Sequence, residues 1–191
     1  MVSIPPGNIT ELPYESKTRL IAATINYAIE LVEQLSAKDA DRIIAISEGL
    51  VESYGAETKF TKNTVRKYFA YPDTLPLIGL LHDKIIGFII GVPLEHFSDE
   101  PWARVDDYLG EHNTVYTYAF VMDRKYRGSG YGKSLKRVYL NWLRKRGFSY
   151  VSGHVQEGVA QRWSRSTMIL ERFPDWHNTG KVFEYYRRPL A

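Results

Sequence analysis

The sequence predicts an α/β fold of the α+β kind, on three observations. Segments with the composition of strands and segments with the periodicity of amphipathic helices interleave along the chain. One strand–helix–strand unit, over residues 114–155, has the order of a crossover between parallel strands. Two apolar, β-branched segments at 75–81 and 84–92 have the order of an antiparallel hairpin. The predicted sheet is therefore mixed, with a central parallel unit.

The composition favours a soluble globular protein. The chain has 191 residues, which suits one domain with an extension. Its net charge of +3 does not by itself imply a nucleic-acid partner, and the absence of cysteine excludes disulfides and thiolate metal sites. No apolar run approaches the roughly 18 residues of a membrane span, and the N-terminus lacks the basic and apolar regions of a signal peptide. We therefore expect a cytoplasmic protein with no membrane partner and no metal.

The N-terminal segments are first irregular and then strand-like. Residues 1–17 contain three prolines and a glycine, which predicts an irregular arm. Residues 18–27 suit a helix or a strand, because their periodicity does not decide between them. Residues 28–35 alternate imperfectly between apolar and polar side chains, which favours a strand.

Two helices are predicted next. Ser36 and Asp39 match the acidic variant of a capping box, which predicts a helix start. This helix is expected to run to about Tyr54 and to end at the following glycine. A shorter helix is predicted over 61–69, closed by Pro72.

A hairpin and a long acidic connection follow. The strands 75–81 and 84–92 meet at His82 and Asp83. The connection 93–113 holds six acids against one arginine, and loops of this length are often functional. The acids are Glu95, Asp99, Glu100, Asp106, Asp107 and Glu111. An acidic rim would attract a cationic amine, whereas the simpler interpretation is a solvated loop.

The second half of the chain contains the clearest elements. Residues 114–122 are rich in β-branched and aromatic side chains, which predicts a strand. Residues 131–146 have one apolar face and predict an amphipathic helix, followed by a strand over 148–155. We expect a helix over 159–172 and a final strand over 182–188.

The turn between strand 114–122 and helix 131–146 has the features of an anion site. Three glycines within five residues, at 128, 130 and 132, allow the backbone to approach a ligand closely. The helix that follows begins with unpaired N–H groups and a partial positive charge, which suit a pyrophosphate. Arginines and lysines surround the turn. They are Arg124, Lys125, Arg127 and Lys133.

The spacing of the turn excludes two nucleotide motifs. A Walker A loop would require its first glycine where Arg127 stands. A dinucleotide G-x-G-x-x-G motif would require a third glycine where Lys133 stands. The pattern [RQ]-x-x-G-x-[GA] is met by Arg127, Gly130 and Gly132. This motif resembles the acyl-CoA-binding motif of the GNAT N-acetyltransferase superfamily, with Arg124 in place of the usual proline.

The resemblance covers roughly residues 28–190 and implies both a fold and a co-substrate. The implied fold is a mostly antiparallel sheet with helices on both faces, in a single domain over 28–191 after an N-terminal extension over 1–27. The implied co-substrate is acetyl-CoA, held between strands 114–122 and 148–155. Its pantetheine would pair with Phe120, Val121 and Met122. Its pyrophosphate would lie on the turn formed by Arg127, Gly128, Ser129, Gly130, Tyr131, Gly132 and Lys133.

The resemblance further implies that a primary amine attacks the thioester directly. Family members often place an acid near the end of the strand that 148–155 matches, and His154 stands there as a candidate base. Glu157 and Glu95 are further candidates. The family's usual tyrosine acid falls on Leu170, which cannot donate a proton. Other tyrosines are therefore candidates for that role, or are simply packed in the core. They are Tyr118, Tyr185 and Tyr186.

Three functions stay open at the level of sequence. The first is an N-acetyltransferase acting on a small-molecule amine, a lysine or a protein N-terminus, as a monomer or homodimer. The second is a non-catalytic acyl-CoA-binding or regulatory domain of the same fold, which the missing tyrosine favours. The third is nucleic-acid binding through the basic face of helix 131–146, although no nucleic-acid motif accompanies it. The residues of that face are Lys136, Arg137, Arg144, Lys145 and Arg146.

Overall fold

A computed structural model of the chain describes residues 12–70 and 73–190. Within these residues the fold is built on one eight-stranded sheet. Its strands are β1 (Lys17–Ala23), β2 (Tyr27–Gln34), β3 (Leu75–Leu81), β4 (Lys84–Pro93), β5 (Thr114–Met122), β6 (Tyr150–Gln156), β7 (Met168–Phe173) and β8 (Phe183–Pro189). Its helices are α1 (Ala37–Tyr54), α2 (Lys62–Ala70) and α3 (Tyr131–Lys145).

The sheet is mixed, as the sequence predicts. Its spatial order is β1-β2-β3-β4-β5-β6-β8-β7. Every neighbouring pair is antiparallel except β5 and β6, which are parallel and are joined through α3. The central β5–α3–β6 unit is therefore confirmed.

Helices cover both faces of the sheet and define two cores. On one face, Ile43 of α1 and Val65 of α2 pack with Phe88 and Ile90 of β4. On the other face, buried side chains of α3 pack with strand residues that include Ile89. Because Ile89 and Ile90 are neighbours in one strand, their side chains point to opposite faces. None of the helices in the described part of the chain is both long enough and apolar enough to cross a bilayer.

The structure shows how the N-terminal segment is folded and how α1 is capped. Residues 17–23 form the edge strand β1, paired with β2, so the strand alternative holds for most of residues 18–27. The Ser36 hydroxyl accepts a hydrogen bond from the Asp39 N–H at 3.2 Å and caps α1. The predicted division between residues 27 and 28 stays a prediction. Most of the predicted arm and the Pro72 stop lie outside the described residues.

The helix predicted over 159–172 is wrong. The structure has a short 3₁₀ turn at Ala160–Arg162 and then strand β7. Ser164 accepts a hydrogen bond from the Ser166 N–H at 3.2 Å, a local bond that competes with helix formation. The following residues gain strand hydrogen bonds by pairing with β8, and this pairing selects the strand.

Candidate active site

The central feature of the site is a gap between the two parallel strands. Three residue pairs join β5 to β6, and the last of them is Tyr116 with Ser152. Beyond this point β5 continues along β4 as far as Met122, while β6 continues along β8 as far as Gln156. The two strands therefore separate, and the backbone of β5 from residue 117 onward is unpaired on its β6 side within the described structure.

The glycine turn lies at the wide end of this gap. Gly128 and Gly130 have φ values of +80° and +84°, a region that favours glycine, and the space where a Cβ would stand is open at both. Gly132 has a different role, because a Cβ there would lie 3.0 Å from Cγ of Met122. The third glycine thus lets α3 begin directly against the end of β5.

The first turn of α3 presents free N–H groups to solvent. Gly130 is the N-cap residue and contributes no side-chain cap, and the first intrahelical bond runs from the Ser134 N–H to the Gly130 carbonyl at 3.0 Å. Lys133 and Ser129 are exposed beside these groups. This arrangement fits the phosphates of acetyl-CoA, since backbone N–H groups and the helix dipole both favour an anion.

Arg127 makes contacts that the motif does not predict. Its guanidinium donates to Glu52 Oε2 at 2.9 Å, to the Gly49 carbonyl at 3.3 Å and to the Met122 carbonyl at 3.3 Å. A Cβ on Gly49 would lie 2.4 Å from Nη2 of Arg127, so α1 leaves room for this side chain. Arg124 also forms an ion pair with Glu52. In this structure the two arginines anchor the turn to α1.

The inner side of α3 runs along the gap. Lys136 stands one helical turn after Gly132 and is half-buried, so it does not lie on an exposed basic face of α3, where the nucleic-acid-binding alternative would require it. Its Nζ lies 3.3 Å from the ring centroid of Trp163 and 6.0 Å from that of Phe120. Tyr139 lies further along, where its hydroxyl is 3.4 Å from Oγ1 of Thr117.

His154 lies at the narrow end of the gap, on the α1 face of the sheet. The side chain is 7% exposed, and its ring stacks on Trp176 with centroids 4.0 Å apart. Nδ1 is 2.9 Å from the Tyr116 hydroxyl, whereas Nε2 is buried without a hydrogen-bond partner. Burial, with a smaller contribution from His177, lowers the pKa of His154 to about 3. The imidazole is therefore neutral at neutral pH.

Tyr186 lies at the narrow end of the gap as well, on the face of the sheet opposite to His154. It pairs with Gly153 across β6 and β8, and its hydroxyl is 3.2 Å from where a Cβ of Gly153 would stand. The Thr117 carbonyl oxygen lies 3.4 Å from the same position, so Thr117 and the Tyr186 hydroxyl are neighbours. Burial raises the pKa of Tyr186 above its ordinary value, so the hydroxyl stays protonated.

Tyr118 lies at a bulge in β5, where Gly91 pairs with Thr117 and Ile90 pairs with Ala119. Its ring stacks on Tyr68 of α2 at 3.8 Å, and burial raises its pKa. The predicted catalytic residues His154, Tyr118 and Tyr186 therefore surround the narrow end of the gap without forming one hydrogen-bonded group.

The remaining acid and tyrosine candidates have structural partners. Glu95 accepts from the N–H groups of Gly110 at 3.2 Å and His112 at 2.9 Å, so it holds the connection 93–113 together. Glu157 lies 3.6 Å from Arg172. The Tyr185 hydroxyl donates to a buried carboxylate, Asp106, at 2.8 Å.

Comparison with known proteins identifies the family. Residues 43–163, more than half of the chain, match the model of the "Acetyltransferase (GNAT) family". The chain belongs to the GNAT family. No curated protein matches its sequence.

Solved structures share the GNAT fold. The ribosomal-protein-S18-alanine N-acetyltransferase of Escherichia coli superposes with a TM-score of 0.63 at 14% identity, covering 86% of this chain and 94% of that chain. Ard1 from Thermoplasma volcanium superposes with a TM-score of 0.61 at 16% identity, covering 87% of this chain and 99% of that chain. A GCN5-related N-acetyltransferase from Kribbella flavida superposes with a TM-score of 0.62 at 16% identity, covering 86% of this chain and 98% of that chain. At these identities the likeness concerns the fold.

Sequence reasoning missed the aromatic side chains around the narrow end of the gap. Trp102 of the connection packs edge-on against His154 at 4.9 Å, and Trp176 stacks on its other side. The Tyr54 hydroxyl, at the end of α1, lies 3.4 Å from the His154 carbonyl oxygen. These residues come from distant segments, and no local motif marks them.

The connection 93–113 is docked by a buried ion pair. Asp106 and Arg187 are 3% and 4% exposed and form a hydrogen-bonded salt bridge. Glu95 also turns inward, whereas the other four acids are exposed. The connection is thus neither a wholly acidic rim nor a freely solvated loop: it is a wall whose outer surface is acidic.

Proposed function

We propose that this GNAT protein transfers an acetyl group from acetyl-CoA to a primary amine. The observation that carries the proposal is the early end of β5–β6 pairing at Tyr116, directly in line with the uncapped glycine turn. An unpaired strand edge can hydrogen-bond an extended ligand chain, and the turn can hold its phosphates. Acetyl-CoA has both parts and, when bound, supplies an activated acetyl thioester.

The residues of the chain would act mainly by positioning. The N–H groups of residues 128–133 would hold the pyrophosphate, with Lys133 beside them. The backbone near Phe120, Val121 and Met122 would pair with the pantetheine. This would direct the thioester towards the narrow end of the gap, where a correctly oriented amine gains most from proximity.

Proton transfer is proposed for the groups around the narrow end. The unpartnered Nε2 of His154 is a candidate to orient or deprotonate the incoming amine. Its low pKa makes it a weak base at neutral pH, so orientation is the role we favour. Tyr186 stays protonated beside Thr117 and Gly153 and is a candidate donor to the leaving thiolate, and Tyr118 is a second candidate.

The acceptor is proposed as a primary amine: a small-molecule amine, a lysine or a protein N-terminus. The four exposed acids on the connection favour a cationic acceptor, since they lie on the wall that packs against His154.

Two measurements on the purified chain test this function. Calorimetric titration with CoA should show binding at one site, and acetyl-CoA with a panel of primary amines should release CoA thiol. Binding without release of thiol from any amine would favour the non-catalytic acyl-CoA-binding alternative. No binding of CoA would contradict both functions.

A further inference from the structure

Lys136 is a cation with no acidic partner in the wall of the gap. None of the ion pairs formed by the described residues includes it. Its Nζ instead lies against the ring of Trp163, at 3.3 Å from the centroid, on the side of α3 that faces Phe120. An amine so placed keeps its position through packing.

The neighbours of Lys136 place it beside the path of a ligand in the gap. Gly132, one turn earlier, abuts Met122 and Phe120. Tyr139, about one turn later, reaches Thr117, the first residue of β5 beyond the paired region. The Trp163 ring that Nζ contacts also packs edge-on against Tyr186, with ring centroids 5.1 Å apart. Nζ therefore lies beside the narrow end of the gap, to which the thioester of a bound acetyl-CoA would be directed.

The environment also makes Lys136 more reactive than an ordinary lysine. Burial, and then the positive charge of Arg188, lower the pKa of Lys136 from 10.5 to about 8. Near pH 7.5 this would make the fraction of free amine roughly two hundred times larger than for an unshifted lysine. Free amine, and not ammonium, is the nucleophile towards a thioester.

We propose that Lys136 is an autoacetylation site, modified by acetyl-CoA bound in the gap of the same molecule. The inference rests on the proposed function, because it requires acetyl-CoA in that gap. The lone pair of Nζ forms a C–N bond to the thioester carbonyl carbon, and the C–S bond breaks. Sulfur leaves with the electron pair as the CoA thiolate, which takes up the proton lost by nitrogen.

Acetylation would change the wall of the gap. The acetamide carries no charge, so the cation–π contact with Trp163 is lost. The added group would also have to be accommodated between α3 and β5, where Gly132 already allows close packing. The modified molecule is therefore expected to bind CoA more weakly than the unmodified one.

Mass spectrometry of the full chain tests the proposal. The protein is incubated with acetyl-CoA and no added amine, and acetylation at each lysine is followed over time by peptide mapping. Lys136 should gain one acetyl group at least tenfold faster than Lys145, which is exposed on the same helix. The first-order rate constant should not depend on protein concentration. Lys136→Arg should remove this acetylation, whereas Lys145→Arg should leave it unchanged.

CoA titration of the same samples separates the possible failures. If CoA binds and Lys136 is acetylated no faster than exposed lysines, the autoacetylation site is refuted and the proposed function stands. A rate that rises in proportion to protein concentration would equally refute modification within one molecule. Absence of CoA binding would instead overturn the proposed function, and the inference with it.

Discussion

At the scale of single residues, burial decides the charge of His154. Its ring lies among Trp102, Trp176 and Tyr116, with one nitrogen bonded and the other unpartnered. A neutral imidazole is tolerated there, but an imidazolium would lose its hydration without gaining a counter-charge. The same burial that makes His154 a poor base therefore makes it a source of acid sensitivity.

His154 should make the folded state less stable as the pH falls. Its pKa is about 3 when folded and near 6.5 when unfolded, so between these values the unfolded chain binds more protons. Stability is complete above pH 6.5 and is lost as the pH falls towards 3, with a loss of about 2 kcal/mol at pH 5. Urea unfolding at pH 7.5 and pH 5 measures this loss.

Two variants isolate the contribution of His154. His154→Gln should reduce the difference in unfolding free energy between pH 7.5 and pH 5 by about 2 kcal/mol, whatever its effect on stability at pH 7.5. His82→Asn changes an exposed histidine in a turn and should leave the difference unchanged. An equal pH dependence in wild type and His154→Gln would show that His154 is not buried in the neutral form.

At the scale of elements, the glycine turn and the start of α3 act as one unit. Gly130 ends the turn in a left-handed conformation and is also the N-cap of α3. Two ion pairs with Glu52 hold the turn against α1, and Gly132 holds α3 against β5. The direction of the N–H groups therefore depends on backbone conformation, with no help from a capping side chain.

Gly130→Ala should weaken CoA binding roughly five- to thirtyfold. An alanine at φ +84° costs about 1–2 kcal/mol, and the turn can relieve this strain only by rotating the N–H groups away from the ligand. Calorimetric titration measures the loss. Gly110→Ala is the matched control, because Gly110 has φ +96°, open space around it and a place in the connection. It should lower stability similarly without altering the affinity for CoA.

The connection 93–113 is held to the sheet by the buried ion pair between Asp106 and Arg187. Asp106→Asn would leave the buried guanidinium of Arg187 without its counter-charge, which is expected to cost about 3 kcal/mol or more of unfolding free energy. Asp107→Asn, at an exposed neighbour, should change the unfolding free energy by no more than about 0.5 kcal/mol. Denaturant unfolding compares them, and equal losses would contradict the role assigned to the buried pair.

At the scale of the whole molecule, the locally encoded features are the ones that the sequence predicts. The β5–turn–α3 unit follows from its own residues: a β-branched strand, glycines where φ is positive, and an amphipathic helix. The cap at Ser36 is local as well, since donor and acceptor are three residues apart. Each of these could be inferred without knowing what the rest of the chain does.

Features that depend on distant partners could not be predicted. Residues 168–173 become a strand because β8 pairs with them, and their own periodicity favours a helix. Asp106 and Arg187 are 81 positions apart, so nothing in the acidic connection shows which carboxylate turns inward. Lys136 is a basic residue on a predicted polar face, and only the position of Trp163 reveals that it lies inward.

The separation of β5 and β6 is the feature on which the proposed function depends. It results from two parallel strands that follow different antiparallel neighbours beyond Tyr116. The glycine turn opens onto its wide end, and His154, Tyr118 and Tyr186 surround its narrow end. A co-substrate that joined the two ends would bring its reactive group to these side chains.

A crystal structure of the full chain with CoA tests this account most directly. We expect the pyrophosphate on the N–H groups of residues 128–133 and the pantetheine along β5 from Met122 towards Thr117. The sulfur should lie at the narrow end, between Tyr186 and His154. CoA bound anywhere else on the molecule, or a gap closed by further β5–β6 pairing, would contradict the account.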